Sequence, residues 1–211
     1  EIALLDPNLT LPLPTEPTAH SGLDALCQAI GASVSRSATP RSDLWALRAV
    51  RAIAGSLAGA VADGSNRGHR YEMALGSHLA GLALASARLG LVHGLAHPVG
   101  MASGKPHGLV CGAMLPMVIR ANAEAAGSRY GELCEAAGLG GLEPAAAAEA
   151  LARWVDGLCE TFGVPVRLAA LGVPEEELES IATAAASAGS TRTNPLEMSA
   201  GAILDLMRQN V

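Results

Sequence analysis

The sequence predicts an all-α domain, and three observations carry that reading. Half of its 211 residues are hydrophobic but only 2% are aromatic. The core is therefore built from Ala, Leu, Val, Ile and Met, small or flexible side chains that let helices approach closely, and Ala is the best helix former. Apolar residues recur at helical spacing, most clearly at Leu44, Leu47, Val50, Ile53, Leu57 and Val61. Prolines, glycines and Asn/Ser/Thr caps divide the chain into lengths typical of helices. A chain of this size can bury one sizeable core.

In order, residues 1–17 hold four prolines and form an extended lead, with Ile2 to Leu5 as a possible short strand. Residues 18–211 form the helical domain. Thr18 is the candidate N-cap of a helix running to Ser35. Pro40 sits at the start of the next, over residues 41–62, which Asp63-Gly64-Ser65-Asn66 ends. Another helix spans 67–88, with Met73, Leu75, Leu79, Leu82 and Leu84 mostly inward and Gly76 and Gly81 at close helix contacts. The next helix carries His93 and His97 and should break at Pro98 and Gly100. Residues 107–122 read as a buried helix, apolar nearly all round until Arg120, with Pro116 as a possible kink. Further helices are expected at 127–137, ended by Gly138, Gly140 and Gly141, at 144–161 behind Pro144, and at 175–188 behind Pro174. One turn is expected at Arg167 to Leu171, and a last helix at Ser199 to Arg208.

A net charge of −6 with no Lys/Arg cluster argues against a nucleic-acid partner. The apolar runs are interrupted before they reach bilayer length, so no membrane span is expected. The start, EIALLDPNLT, lacks the basic-then-apolar pattern of a secretion signal and does not begin with Met, which leaves a processed or trimmed start open. Cys27, Cys111, Cys134 and Cys159 are scattered, with no CxxC pair, and are expected to be free, buried and reduced, as suits the cytoplasm.

The chemistry concentrates in LGLVHGLAHPVGMASGKPHGLVCGAMLPMVIRAN, Leu89 to Asn122, which holds three of the six histidines. His93 and His97 are four apart and share a helix face. His107 returns across the Gly104-Lys105-Pro106 turn. Two imidazoles on one face with a third across a short loop can gather around one metal ion. This His-x-x-x-His-Pro segment and the Pro106-His107-Gly108 turn resemble the iron-type (group III) alcohol dehydrogenases. The resemblance extends to LLDPNLT (Leu4 to Thr10), SGLDALCQAI (Ser21 to Ile30) and TRTNP (Thr191 to Pro195), and so covers nearly the whole chain.

That resemblance implies the helical, dehydroquinate synthase-like C-terminal domain of the family, where the metal is held. It assigns the metal set to Asp24, the position of Gln28, His93 and His107. The family has His where this chain has Gln28, and a neutral amide is a much poorer ligand than imidazole. A divalent ion, Fe²⁺ or Zn²⁺, is the implied cofactor. His97 resembles the histidine beside substrate and nicotinamide, implying proton transfer or substrate orientation; its alternative is a packing role enforced by Pro98. His20, one turn before Asp24, either replaces the ligand lost at Gln28 or lies at the exposed helix start. His69 and His78 fall outside these motifs, His69 on a solvated face and His78 on a bundle face. Lys105 is either a cation for a substrate anion or a solvated loop lysine. The Gly138 to Gly141 stretch is a helix stop, not a phosphate cradle.

Three functions follow. The first is the metal and substrate half of an NAD(P)-linked alcohol dehydrogenase acting on a small-molecule substrate, its nucleotide-binding half supplied by another chain or removed, because no strand–Gly-rich loop–helix unit is visible. The second is a repurposed domain performing nicotinamide-independent dehydration, isomerisation or cyclisation, with Asp24, His97 or a metal as acid–base group. The third is a non-catalytic dimerising module. An apolar-rich domain of this kind is expected to self-associate into a homo-oligomer.

Overall fold

Local signals account for most of the observed helices. The computed structural model describes residues 2–211 and contains ten α-helices and no strand among them. They are α1 (Thr15–Val34), α2 (Pro40–Ala62), α3 (Arg67–Ala87), α4 (Leu91–Ser103), α5 (His107–Ala121), α6 (Ala123–Ala136), α7 (Pro144–Thr161), α8 (Leu168–Leu171), α9 (Leu178–Ser187) and α10 (Ala200–Arg208). Thr39 and Ser42 close a reciprocal capping box ahead of α2, with Pro40 inside its first turn. Asn66 caps α3 through the His69 amide, and Ser199 caps α10 through Ala202. Gly104 ends α4 at φ 66°, and Gly138 after α6 sits at φ 79°, conformations that favour glycine.

Helices α1, α2 and α3 pack on one another. Helix α5 lies at the centre, against α1, α4 and α7, while α6 packs on α7, and α9 joins α4 to α10. Every residue of α5 from Val110 to Ile119 is buried, as the all-round apolar pattern required. Leu23, Leu26, Ile30, Ile53, Leu57, Leu91, Leu95, Met114, Leu115 and Leu133 are fully buried around it. Each such side chain contributes roughly 1.5–3 kcal/mol through burial.

Several expectations need correction. Ile2 to Leu5 form no strand and are exposed, because the described residues offer no sheet to pair with; Pro7–Thr10 instead make one 3-10 turn. Thr18 does not cap α1. The helix begins a turn earlier, and the Thr18 hydroxyl donates to the Pro14 carbonyl. Helix α4 does not break at Pro98 but runs through it to Ser103. Pro98 removes one amide donor, yet the helix continues for five residues beyond it and ends only at Gly104.

On α2, Leu44 is exposed, and the inward positions are Ala46, Val50, Ile53, Leu57 and Ala60. On α3, the leucines are only half-buried, and Gly76, Ala80, Ala83 and Ala87 form the inner face. A Cβ on Gly76 would come within 2.7 Å of Ile53 Cγ1, so α2 and α3 meet closely there. Gly81 has open space and makes no such contact. Helix α6 carries a non-helical kink at Gly127, close to its expected start.

Helix α2 reaches the length and mean hydropathy, 1.3, of a membrane-crossing segment. It lies packed between α1 and α3 in this fold. All four cysteines are free and buried, as expected.

Candidate metal centre

The centre forms where α1, α4 and α5 meet. Asp24 comes from the middle of α1, His93 from the first turn of α4, and His107 opens α5. Their approach depends on small residues. A Cβ on Gly108 would collide with the His20 carbonyl oxygen, so glycine lets the start of α5 sit directly on α1. A Cβ on Gly112, one turn further, would come within 2.7 Å of Leu23. The α4 N-terminus has no capping side chain of its own; Asn194 Oδ1 accepts from the Leu91 amide at 3.1 Å instead.

The donor atoms converge. His93 Nε2 lies 3.1 Å from Asp24 Oδ1, and His107 Nε2 lies 3.8 Å from the same oxygen. Cys111, one turn after His107, completes the cluster. Its Sγ is 3.4 Å from His107 Nε2 and 3.8 Å from His93 Nε2. All four donor atoms fall within 4.8 Å of one another. Cys111 was not singled out in the sequence, although its i,i+4 spacing from His107 was the available signal.

The charges are mutually dependent. Burial opposes ionisation of Asp24, yet the His93 hydrogen bond and the nearby His93 and His107 charges hold its carboxyl below its ordinary value. Burial likewise opposes protonation of His93, but Asp24 and then Cys111 raise it to about 9. Burial, with help from His93 and His97, lowers His107 against the pull of Asp24. Burial pushes the Cys27 thiol well up, while a hydrogen bond with Cys27 leads the effects that lower Cys111.

The other predicted residues fall around this cluster. Gln28 Nε2 donates to Asp24 Oδ2 at 3.1 Å and so holds the carboxylate from its far side. His97 is exposed, with its ring centroid 5.2 Å from that of His107, at the open edge of the centre. Met101 is 87% exposed one turn beyond His97. His20 is half-buried, and its backbone rather than its ring meets α5 at Gly108. His69 packs on Gly59 of α2 and is half-buried, not fully solvated. His78 is half-buried on α3, and Lys105 is exposed in the α4–α5 loop.

The donor set suits a divalent ion. It combines one carboxylate, two imidazoles and a thiol, and the ionic partners of Asp24 among the described residues are the two histidines alone. Behind His93 lies a cavity of about 20 Å³, lined also by Cys27, Asn122, Tyr130 and Asn194. That is room for one water. His93 Nδ1 is buried without a protein partner. A proton on Nδ1 is the tautomer that leaves Nε2 available as a ligand.

Residues 18–211 match the C-terminal part of the Fe-containing alcohol dehydrogenase family. The chain belongs to that family. It is 37% identical to 1,3-propanediol dehydrogenase of Citrobacter freundii over 210 residues, 99% of this chain and 54% of that protein. It is 36% identical to the NAD-dependent methanol dehydrogenase of Bacillus methanolicus over 196 residues, 92% of this chain and 51% of that protein. A crystal structure of 1,3-propanediol oxidoreductase superimposes with a TM-score of 0.93 at 36% identity, covering 98% of this chain and 55% of that one. The chain thus spans about half the length of the relatives it matches, and its fold is that of the family's helical C-terminal domain.

Proposed function

We propose that these residues form the metal- and substrate-binding half of an NAD(P)-linked oxidoreductase that interconverts small alcohols with aldehydes or ketones. The convergence of Asp24, His93 and His107 from three helices carries this reading. Relatives such as 1,3-propanediol dehydrogenase and NAD-dependent methanol dehydrogenase suggest the reaction class.

Asp24, His93 and His107 would hold Fe²⁺ or Zn²⁺, with Gln28 orienting the Asp24 carboxylate. Held by these residues, a divalent ion would supply Lewis-acid polarisation of a carbonyl oxygen. His97, exposed at the rim, orients the substrate and exchanges the alcohol proton with water. The buried walls formed by α1, α4 and α5 separate the inner side of the centre from bulk solvent, which strengthens every charge interaction there. The described residues contain no strand and hence no βαβ dinucleotide fold, so the nicotinamide must be presented by other residues facing the open edge.

A non-catalytic dimerising module needs no organised site, and the four converging donors weigh against it. The discriminating experiment is NAD(P)H-linked reduction of short aldehydes by the metal-loaded chain, with and without a separately expressed nucleotide-binding domain from a relative. Turnover in the mixture supports the proposal. No turnover in either, with metal bound, overturns it.

A further inference from the structure

We propose that Cys111 is the fourth protein donor of the metal centre, so that the set is Asp24, His93, His107 and Cys111 rather than one completed by Gln28. This rests on the centre binding a divalent ion, as argued above. It adds a sulfur ligand and shifts the preferred metal from Fe²⁺ towards Zn²⁺.

The geometry carries the inference. Around a tetrahedral Zn²⁺ with ordinary bond lengths, nitrogen and sulfur ligands lie about 3.6 Å apart, and nitrogen and oxygen ligands about 3.3 Å apart. The structure places Cys111 Sγ 3.4 and 3.8 Å from the two Nε2 atoms. It places Asp24 Oδ1 3.1 and 3.8 Å from the same two nitrogens. These four edges bracket the tetrahedral values, and the remaining two are no longer than 4.8 Å. The four atoms lie close enough together to share one ion, and a substrate oxygen would enter as a fifth ligand from the open side near His97.

Gln28 is placed differently. Its amide donates to Asp24 Oδ2, while Oδ1 is the oxygen that faces both imidazoles. It acts on the far oxygen of a ligand, as an orienting partner does. Cys111 is buried and shares the inner face of α5 with His107.

Chemically, the thiol loses its proton to solvent as sulfur binds, and no electron is transferred. Carboxylate and thiolate together then neutralise a 2+ ion. Soft thiolate favours Zn²⁺ over Fe²⁺ at comparable geometry.

The test uses the 211-residue chain stripped by chelation and reloaded with Co²⁺ as a spectroscopic probe. The proposal expects stoichiometric binding with a sulfur-to-cobalt charge-transfer absorption in the near ultraviolet. Cys111→Ser should abolish that absorption and weaken Zn²⁺ binding by at least about 100-fold, the upper end of what outer partners alone produce. Gln28→Ala and the distant Cys134→Ala should keep the absorption. Circular dichroism checks that each variant is folded. X-ray absorption on the Zn²⁺-loaded parent needs no variant, and should show one sulfur neighbour at about 2.3 Å. Stoichiometric metal with only nitrogen and oxygen neighbours overturns the Cys111 assignment and leaves the functional reading standing. So does a folded Cys111→Ser that retains full affinity. Failure of the parent to bind Co²⁺, Zn²⁺ or Fe²⁺ overturns both.

Discussion

Asn122 and Asn194 hydrogen-bond to each other in both directions. Asn122 Nδ2 donates to Asn194 Oδ1 at 3.0 Å, and Asn194 Nδ2 donates to Asn122 Oδ1 at 2.8 Å. Both are buried, and Asn194 Oδ1 also receives the Leu91 amide. The pair ties the end of α5 to the start of α4, the two helices that carry His107 and His93. Asn194→Ala leaves the Asn122 side chain and the Leu91 amide without these partners. It should cost about 1–3 kcal/mol for each buried group left unpaired. The thermal midpoint should fall accordingly, and metal affinity should fall with it. Unchanged stability would show that this bridge is not holding α4.

Gly108→Ala should be disruptive for a different reason. The new Cβ meets backbone, the His20 carbonyl, which cannot swing aside like a side chain. The start of α5 must shift, at a cost of about 1–3 kcal/mol. His107 moves with it, so Zn²⁺ affinity should drop even where the fold survives. Gly81→Ala, with open space around it, serves as the control and should be neutral or slightly stabilising. Equal metal affinity in the two variants would contradict the close seat of α5 on α1.

His97→Ala should separate binding from turnover. His97 is absent from the donor cluster and sits exposed beside His107. Metal content by elemental analysis should match the parent. Turnover with a nucleotide-binding partner should fall by about 10²–10⁴-fold if His97 moves the proton. A variant that loses its metal would reassign His97 to the coordination shell.

The surface contributes a small acid-sensitive effect. Arg120, aided by Arg153, holds the Glu149 carboxyl down to about 2. A depressed carboxyl stabilises the fold above its ordinary value of 4.5, and that contribution is lost as pH falls through about 2. Glu149→Gln should therefore lower stability near neutrality and match the parent at the acid end. Glu149 is 43% exposed, so the difference should stay under about 1 kcal/mol. Denaturant midpoints at neutral and acid pH measure it; a gap that widens in acid would reverse the assignment.

Several helix boundaries were legible because their signals are local, though the start of α1 and the end of α4 were not. Pro40, Asn66, Pro144 and Ser199 each act on the backbone within a turn of themselves. The faces were harder to read. Helix α3 turns Gly76, Ala80, Ala83 and Ala87 inward, since close packing against α2 admits small side chains and leaves its leucines half-exposed. Helix α4 runs through Pro98, and the Leu91 amide at its start is capped by Asn194, about a hundred residues away, which no window around Pro98 contains. Within the site, the three histidines stood out through spacing and family resemblance, and the structure sets two of them against Asp24. Cys111 did not stand out, because a cysteine in an apolar helix looks like core until His93 is seen beside it.

Arg70 is almost fully buried, yet its guanidinium meets only neutral oxygens: the Leu13 carbonyl at 2.9 Å, the Gly64 carbonyl at 2.8 Å and the Thr18 hydroxyl at 2.8 Å. It clamps the end of the proline-rich lead to the top of α1 and the α2–α3 turn. Any segment placed upstream of Leu13 therefore departs from an anchored point. The Pro7–Thr10 turn itself packs on α3, so swinging of such a segment relative to the helices must pivot before Pro7.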